Sequence, residues 1–312
     1  MDRILRRQLD AIARDRMSGA AELALQATKS LRSWLEREPK PNRQRYFSVA
    51  KSLLEIQPAM APFLRLANEA LRAGASSAPE RNLALTLRDF EHRLLMAPTQ
   101  ISVLFCKTLR SMFPGRRTLV TTYSYSSTVV TALIHARSKI LNVKCSEGRP
   151  LFEGRRLARE LSSAGLAVSF TTDARLMESF YSGYQDVVVI GADSVTPFGF
   201  TNKTGTAALL EMATQAGVRT LILADSTKLL PGPLAEFQRI KEDPPARQVW
   251  PSPPRGVSIS NVYFGGSPYP RRCLVITEKG VTKWAGLDRL WRPIAVSGRL
   301  KELLDVLVQN DW

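Results

Sequence analysis

Residues 191–206 read GADSVTPFGFTNKTGT and follow the apolar run DVVVI. A buried strand thus ends near an acid, Asp193, and is followed by a dozen residues rich in glycine, threonine, asparagine and lysine. That is more chain than a structural turn needs. A carboxylate at a strand end can hold sugar hydroxyls or move their protons. The segment FGFTNKTGT leads into a helix beginning near Gly205 or Thr206, and free N–H groups at a helix start suit phosphate. Lys203 adds a point charge and the threonines add hydroxyls. Together these residue types point to a small phosphorylated ligand.

Other strand ends offer the same chemistry. CSEGRP places Glu147 and Arg149 after a strand, ADSTK places Asp225 and Lys228 after another, and TTYSYSS offers Tyr123, Ser124, Ser126 and Ser127. In open α/β sheets ligands bind beyond the carboxyl ends of the strands, so these groups are expected on one rim.

The chemistry available is bounded by composition. Only two histidines, His92 and His135, and three widely spaced cysteines, Cys106, Cys145 and Cys273, occur in 312 residues. Neither a metal cluster nor a disulfide framework fits them, and neither metal nor cofactor is expected. Catalysis would fall to carboxylates, lysines, hydroxyls or one cysteine. Cys145 sits near a strand end after Lys144, yet strand alternation is expected to bury it. Cys106 and Cys273 are expected to be structural.

The elements that must position these groups fall into two rhythms. Residues 1–115 carry the 3.6-residue apolar spacing of helices, as in AAELALQATKSLRSWLE and LALTLRDFEHRLLM. Breaks fall at EPKPNRQR, at Gln57-Pro58 and at GASSAPER, and Pro114-Gly115 marks a boundary. From residue 116 to 312 short β-rich runs alternate with helical patterns: TLVTTYS, LNVKCS, AVSFTT, DVVVIGAD and RTLILADS. Such alternation predicts βαβ units and a doubly wound parallel sheet whose strands are buried on both faces. A proline-rich excursion over 229–260 precedes a late strand in CLVITEKGV, and SGRLKELLDVLVQ is expected to cap the domain as a helix.

The net charge of +16 is unusual and attracts phosphates from sugars to RNA. The charges are scattered and set beside acids, as in LRDFEHR and GRRLARE, so an RNA partner rests on charge alone. No apolar run is long enough to cross a bilayer, and the mixed-charge start, MDRILRRQLDAIARDR, lacks a secretory signal's apolar core. No membrane partner and a cytoplasmic location are the expectations.

The ordered motifs SEGRPLFEGRRLA, GAD, NKTGT, ADSTK and YFGGSPYP…LVITEKGV, with SGAAELA near the start, resemble one superfamily over roughly Gly19 to Val281. It joins the alpha, beta and delta subunits of translation initiation factor 2B to the isomerases of methylthioribose-1-phosphate and ribose-1,5-bisphosphate. The resemblance implies a helical N-terminal domain, a Rossmann-like C-terminal domain, a homodimer or higher homo-oligomer, and a phosphosugar pocket between domains. Gly19 and Ala20 fall in the N-terminal Gly-Ala motif, and Asn202 and Lys203 match the Asn-Lys of the pocket. Asp193 matches the catalytic aspartate of the metal-free isomerases, while Ser124 stands where they carry a cysteine. Ser18 and Gln57 replace two arginines of their phosphate grip, and losing guanidinium forks weakens bidentate phosphate recognition. The leading expectation is therefore a factor 2B-like protein that binds a phosphorylated sugar or nucleotide as a sensor or regulatory subunit, with a translation factor as a further partner reading. The alternative is an aldose–ketose isomerase in which Asp193 works with Ser124, Cys145 or Glu147.

Overall fold

The computed structural model describes residues 2–15, 18–235, 244–300 and 302–303. It is an α/β structure with an N-terminal helical region and a Rossmann-like, mostly parallel sheet. Five helices come first: α1 (Arg3–Arg14), α2 (Ala20–Arg37), α3 (Arg43–Ile56), α4 (Ala61–Gly74) and α5 (Pro79–Met112). Local chemistry sets their starts. Asn42 accepts the Arg45 N–H at 3.0 Å to cap α3, and Glu22 takes the Gly19 N–H at the head of α2. Pro79 opens α5, where a missing N–H costs nothing.

The helix α5 runs for 34 residues through Pro98. Its first part, with Leu83, Leu87, Phe90 and Leu94, packs into the core of the helical region. Its second part, with Ala97, Ile101, Phe105 and Leu109, covers one face of the sheet. None of the described helices is long and apolar enough to cross a membrane.

The sheet is built from β1 (Thr118–Thr121), β2 (Ile140–Ser146), β3 (Val168–Thr171) and β4 (Val187–Gly191). After β5 (Ser194–Val195) and β6 (Phe200–Lys203), which lie elsewhere, come β7 (Arg219–Leu223), β8 (Phe264–Ser267), β9 (Cys273–Thr277) and β10 (Gly280–Lys283). The seven-stranded sheet has the order β10-β9-β7-β4-β1-β2-β3. All its neighbours pair in parallel except β10, which forms a hairpin with β9. Helices α6 (Ser127–His135), α7 (Gly154–Ser163), α8 (Asp173–Ser182) and α9 (Thr206–Gln215) connect the strands. In this order the direction of winding reverses between β1 and β4, which is where ligands lodge in such sheets.

Three differences from the sequence expectations have physical causes. The central strand β4 is buried along its whole length, but β3 is half-exposed because it stands at the sheet edge. The stretch 191–206 is not one long loop. It folds back at Thr196–Gly199, whose N–H and carbonyl bond at 2.8 Å, and forms a small antiparallel sheet in the order β5-β6-β8. The late strand in CLVITEKGV is two strands turned at residues 278–279. Of the capping helix expected in SGRLKELLDVLVQ, helical turns are present at residues 298–300 and 302–303; the rest lies outside the described residues.

Candidate functional site

Ser124 follows β1 and Asp193 follows β4, so the two flank the point where the sheet reverses its winding. Both face one pocket. The helical region supplies Asp15, Ser18, Gly19, Gln57 and Met60 to its walls. The sheet half supplies Tyr125, Leu151, Glu153, Asn202, Lys203, Tyr263 and Phe264. The pocket is small, with about 50 Å³ of free space.

Backbone hydrogen bonds fix Asp193 on both sides. Its N–H donates to Thr201 O at 2.8 Å, and its carbonyl accepts the Ala61 N–H at 3.1 Å, at the first turn of α4. Its carboxyl titrates at about 6 rather than in the usual carboxylate range. Burial is the main cause and the negative charge of Glu153 adds to it, while Lys228 and Lys203 pull the other way. An acid poised there exchanges protons readily at neutral pH.

Ser124 adopts the left-handed backbone, with φ 65°, which costs a non-glycine residue about 1–2 kcal/mol. Such strain gathers at functional sites. Its hydroxyl donates to Glu153 Oε1 at 3.1 Å, and Lys203 Nζ reaches the same oxygen at 2.9 Å. The Glu153–Lys203 pair is buried, and Glu153 Oε2 has no hydrogen-bond partner. The Ser124 hydroxyl therefore has a carboxylate acceptor. Glu153 was missed as a site residue, although it lies within the quoted motif SEGRPLFEGRRLA. Its placement depends on Gly154, where a Cβ would stand 1.7 Å from Ser146 O. Only glycine lets the loop after β2 turn back this sharply and present Glu153 to Ser124.

The other expected residues divide. Gly19, Asn202 and Lys203 line the pocket, whereas Ala20 is buried at the start of α2. Thr206 donates to Lys203 O at 2.7 Å and accepts from Asn202 Nδ2 at 3.1 Å. Gly205, with φ 100°, packs against the Tyr123 hydroxyl, which donates to Thr204 O at 2.7 Å. The start of α9 is thus tied into the protein itself, and neither Gly205 nor Thr206 lines the pocket. Ser126 caps α6 by accepting the Val129 N–H. Lys228 is buried 3.9 Å from Asp225 and acts on Asp193 through its charge. Glu147 and Arg149 do not line the pocket; Arg149 is exposed, stacked on Phe152 and donating to Val249 O at 3.2 Å. Cys145 is buried in the core beneath the sheet, and burial pushes its thiol up to about 12, so no thiolate is available there. Cys106 and Cys273 are also buried.

The model of the initiation factor 2 subunit family matches residues 17–284. The chain belongs to this family. Among its relatives, the ribose 1,5-bisphosphate isomerase of Archaeoglobus fulgidus is 26% identical over 271 residues, covering 84% of each chain. The 5-deoxyribose 1-phosphate isomerase of Moorella thermoacetica is 34% identical over 157 residues, which is 47% of this chain and 44% of that protein. The fold is shared with the crystal structure of translation initiation factor eIF-2B from Pyrococcus horikoshii OT3. That comparison gives a TM-score of 0.74 at 23% identity, covering 90% of this chain and 98% of that one.

Proposed function

We propose that the pocket isomerises an aldose phosphate to the corresponding ketose phosphate by proton transfer between side chains and sugar. One observation carries this reading. A carboxyl titrating near neutrality shares a pocket with a hydroxyl whose acceptor is a buried carboxylate with one oxygen unengaged. Relatives that act on sugar phosphates, 26% and 34% identical over the matched lengths, support the substrate class. For a furanose 1-phosphate the atoms balance as follows. The bond from C1 to the ring oxygen opens, a hydrogen moves from C2 to C1, and the proton of the C2 hydroxyl ends on the former ring oxygen. The C2 carbon becomes the carbonyl and the phosphate ester is untouched. Asp193 carries the hydrogen between the two carbons. Ser124 and Glu153 carry the hydroxyl proton, with Lys203 Nζ 2.9 Å from Glu153 Oε1 holding that carboxylate in place.

The test is proton and phosphorus NMR of the purified protein with ribose 1,5-bisphosphate, 5-deoxyribose 1-phosphate and methylthioribose 1-phosphate. Ketose formed at an enzyme-dependent rate, and lost in Asp193→Asn, is the expected result. The second reading, a binding or regulatory subunit, is favoured by the pocket wall itself. Ser18 and Gln57, not arginines, face the cavity, and Gln57 Nε2 is spent on Ile12 O at 3.0 Å. Line-broadening of a ligand without product establishes that reading in place of the first.

A further inference from the structure

A second and larger cavity, of about 390 Å³, lies between the helical region and the sheet. Its walls come from α4, α5, the turn after β7, the β9–β10 turn and the segment 290–295. Four cations line it, Arg65, Arg72, Arg93 and Lys279. Two of these carry their own carboxylates: Arg72 pairs with Glu69 at 2.8 Å, and Arg93 pairs with Asp89. Arg65 does not. It is only 7% exposed, and its Nη1 donates to Ser226 O at 3.3 Å and Leu229 O at 3.0 Å. Its Nε is buried with no hydrogen-bond partner, and the hydroxyl of Ser226, whose carbonyl Arg65 contacts, is buried and unpartnered as well. Among the described residues no carboxylate pairs with this guanidinium. Burial drags its pKa down to about 10, and the charges of Arg93 and Arg72 push the same way against Glu69 and Asp225.

A buried guanidinium without a counter-ion, gathered with other arginines around a cavity, is electrostatically incomplete. Planar N–H donors beside a free hydroxyl match the oxygens of a phosphate. We infer that this cavity is a second anion site, in which Arg65 and Ser226 hold a phosphate group from inside and Lys279 closes on it from the rim. The Glu278 carboxylate accepts the Ser226 N–H at 2.9 Å through Oε2, and its Oε1 is buried with no hydrogen-bond partner. The remaining wall is apolar, from Phe90, Leu290 and Ile294, and accommodates the body of a phosphate ester. The site is independent of the chemistry proposed for the first pocket. The strip from Ser226 to Leu229 is nonetheless common ground, because Lys228 within it acts on Asp193.

The Nε–H resonances of protein labelled with ¹⁵N-arginine report on the site directly. The Arg65 signal is assigned by its loss in Arg65→Lys. Titration with inorganic phosphate is expected to shift that signal saturably, while chloride at matched ionic strength leaves it in place. Ser226→Ala weakens phosphate affinity about tenfold, and Lys279→Ala roughly threefold, as suits an exposed charge. Asp193→Asn leaves the titration unchanged, which separates this site from the first. Phenyl phosphate binding more tightly than phosphate identifies an ester with an apolar body; equal affinities identify free phosphate. A signal that does not move, that moves equally with chloride, or whose titration survives both Ser226→Ala and Lys279→Ala overturns the inference.

Discussion

At the scale of single residues, Asp193 combines two properties that are separable by experiment. Its native carboxyl titrates at about 6 against 3.8 for the ordinary group. Between those values the folded protein binds more protons than the unfolded chain. This carboxyl therefore lowers stability progressively as pH rises through that window, and fully above it. The displacement corresponds to on the order of 3 kcal/mol. Asp193→Asn is expected to raise urea stability at pH 7.5 by up to that amount and to leave it unchanged near pH 4. A gain of equal size at both pH values would exclude the buried carboxyl as its source. Under the proposed chemistry the same group must be ionised to accept a proton. The kcat/KM of the unmodified protein is thus expected to fall tenfold per pH unit below about 6. Ser124 offers a parallel contrast. Ser124→Gly and Ser124→Ala both remove the hydroxyl, and both are expected to lower kcat/KM by about 10²–10⁴. Only glycine relieves the left-handed backbone, so Ser124→Gly should be more stable than Ser124→Ala by about 1 kcal/mol. Equal melting temperatures would remove strain from the account.

At the scale of elements, the loop from β2 to α7 is held by Gly154, where a Cβ has no room against Ser146 O. Gly154→Ala is expected to cost roughly 3 kcal/mol in chemical denaturation and to pull Glu153 away from Ser124, lowering turnover as well as stability. This loop also marks the limit of what the sequence made legible. Strand ends, and with them Asp193 and Ser124, were readable because β-rich apolar runs stop abruptly at small and polar residues. The partner of Ser124 was not, because no periodicity encodes a backbone that doubles back. The small β5-β6-β8 sheet was hidden for a similar reason: β8 follows β6 only after sixty residues of intervening chain. Gly205 and Thr206 have the composition of a phosphate cradle, but the Tyr123 hydroxyl packs against Gly205 and donates to Thr204 O. Composition states what a turn can bind, not whether a neighbouring side chain is already there.

At the scale of the whole molecule, α5 ties the helical core to the sheet's core. Phe90 is buried in the first and Phe105 in the second. Phe90→Ala and Phe105→Ala are each expected to cost about 3–5 kcal/mol. Both should shift one unfolding transition, followed by far-UV circular dichroism and by tryptophan fluorescence. Two resolved transitions, with each substitution moving only one, would show that the two cores unfold separately.

The same helix limits how such a chain can be cut or recombined. A fragment beginning at residue 116 would keep every strand of the large sheet yet lose Ile101, Phe105 and Leu109, which roof one of its faces. Left bare, that face is a surface on which molecules stick to one another. A chimaera that exchanges helical regions between relatives must therefore carry the second half of α5 with the sheet it covers, and make its join near residue 97, within the helix itself.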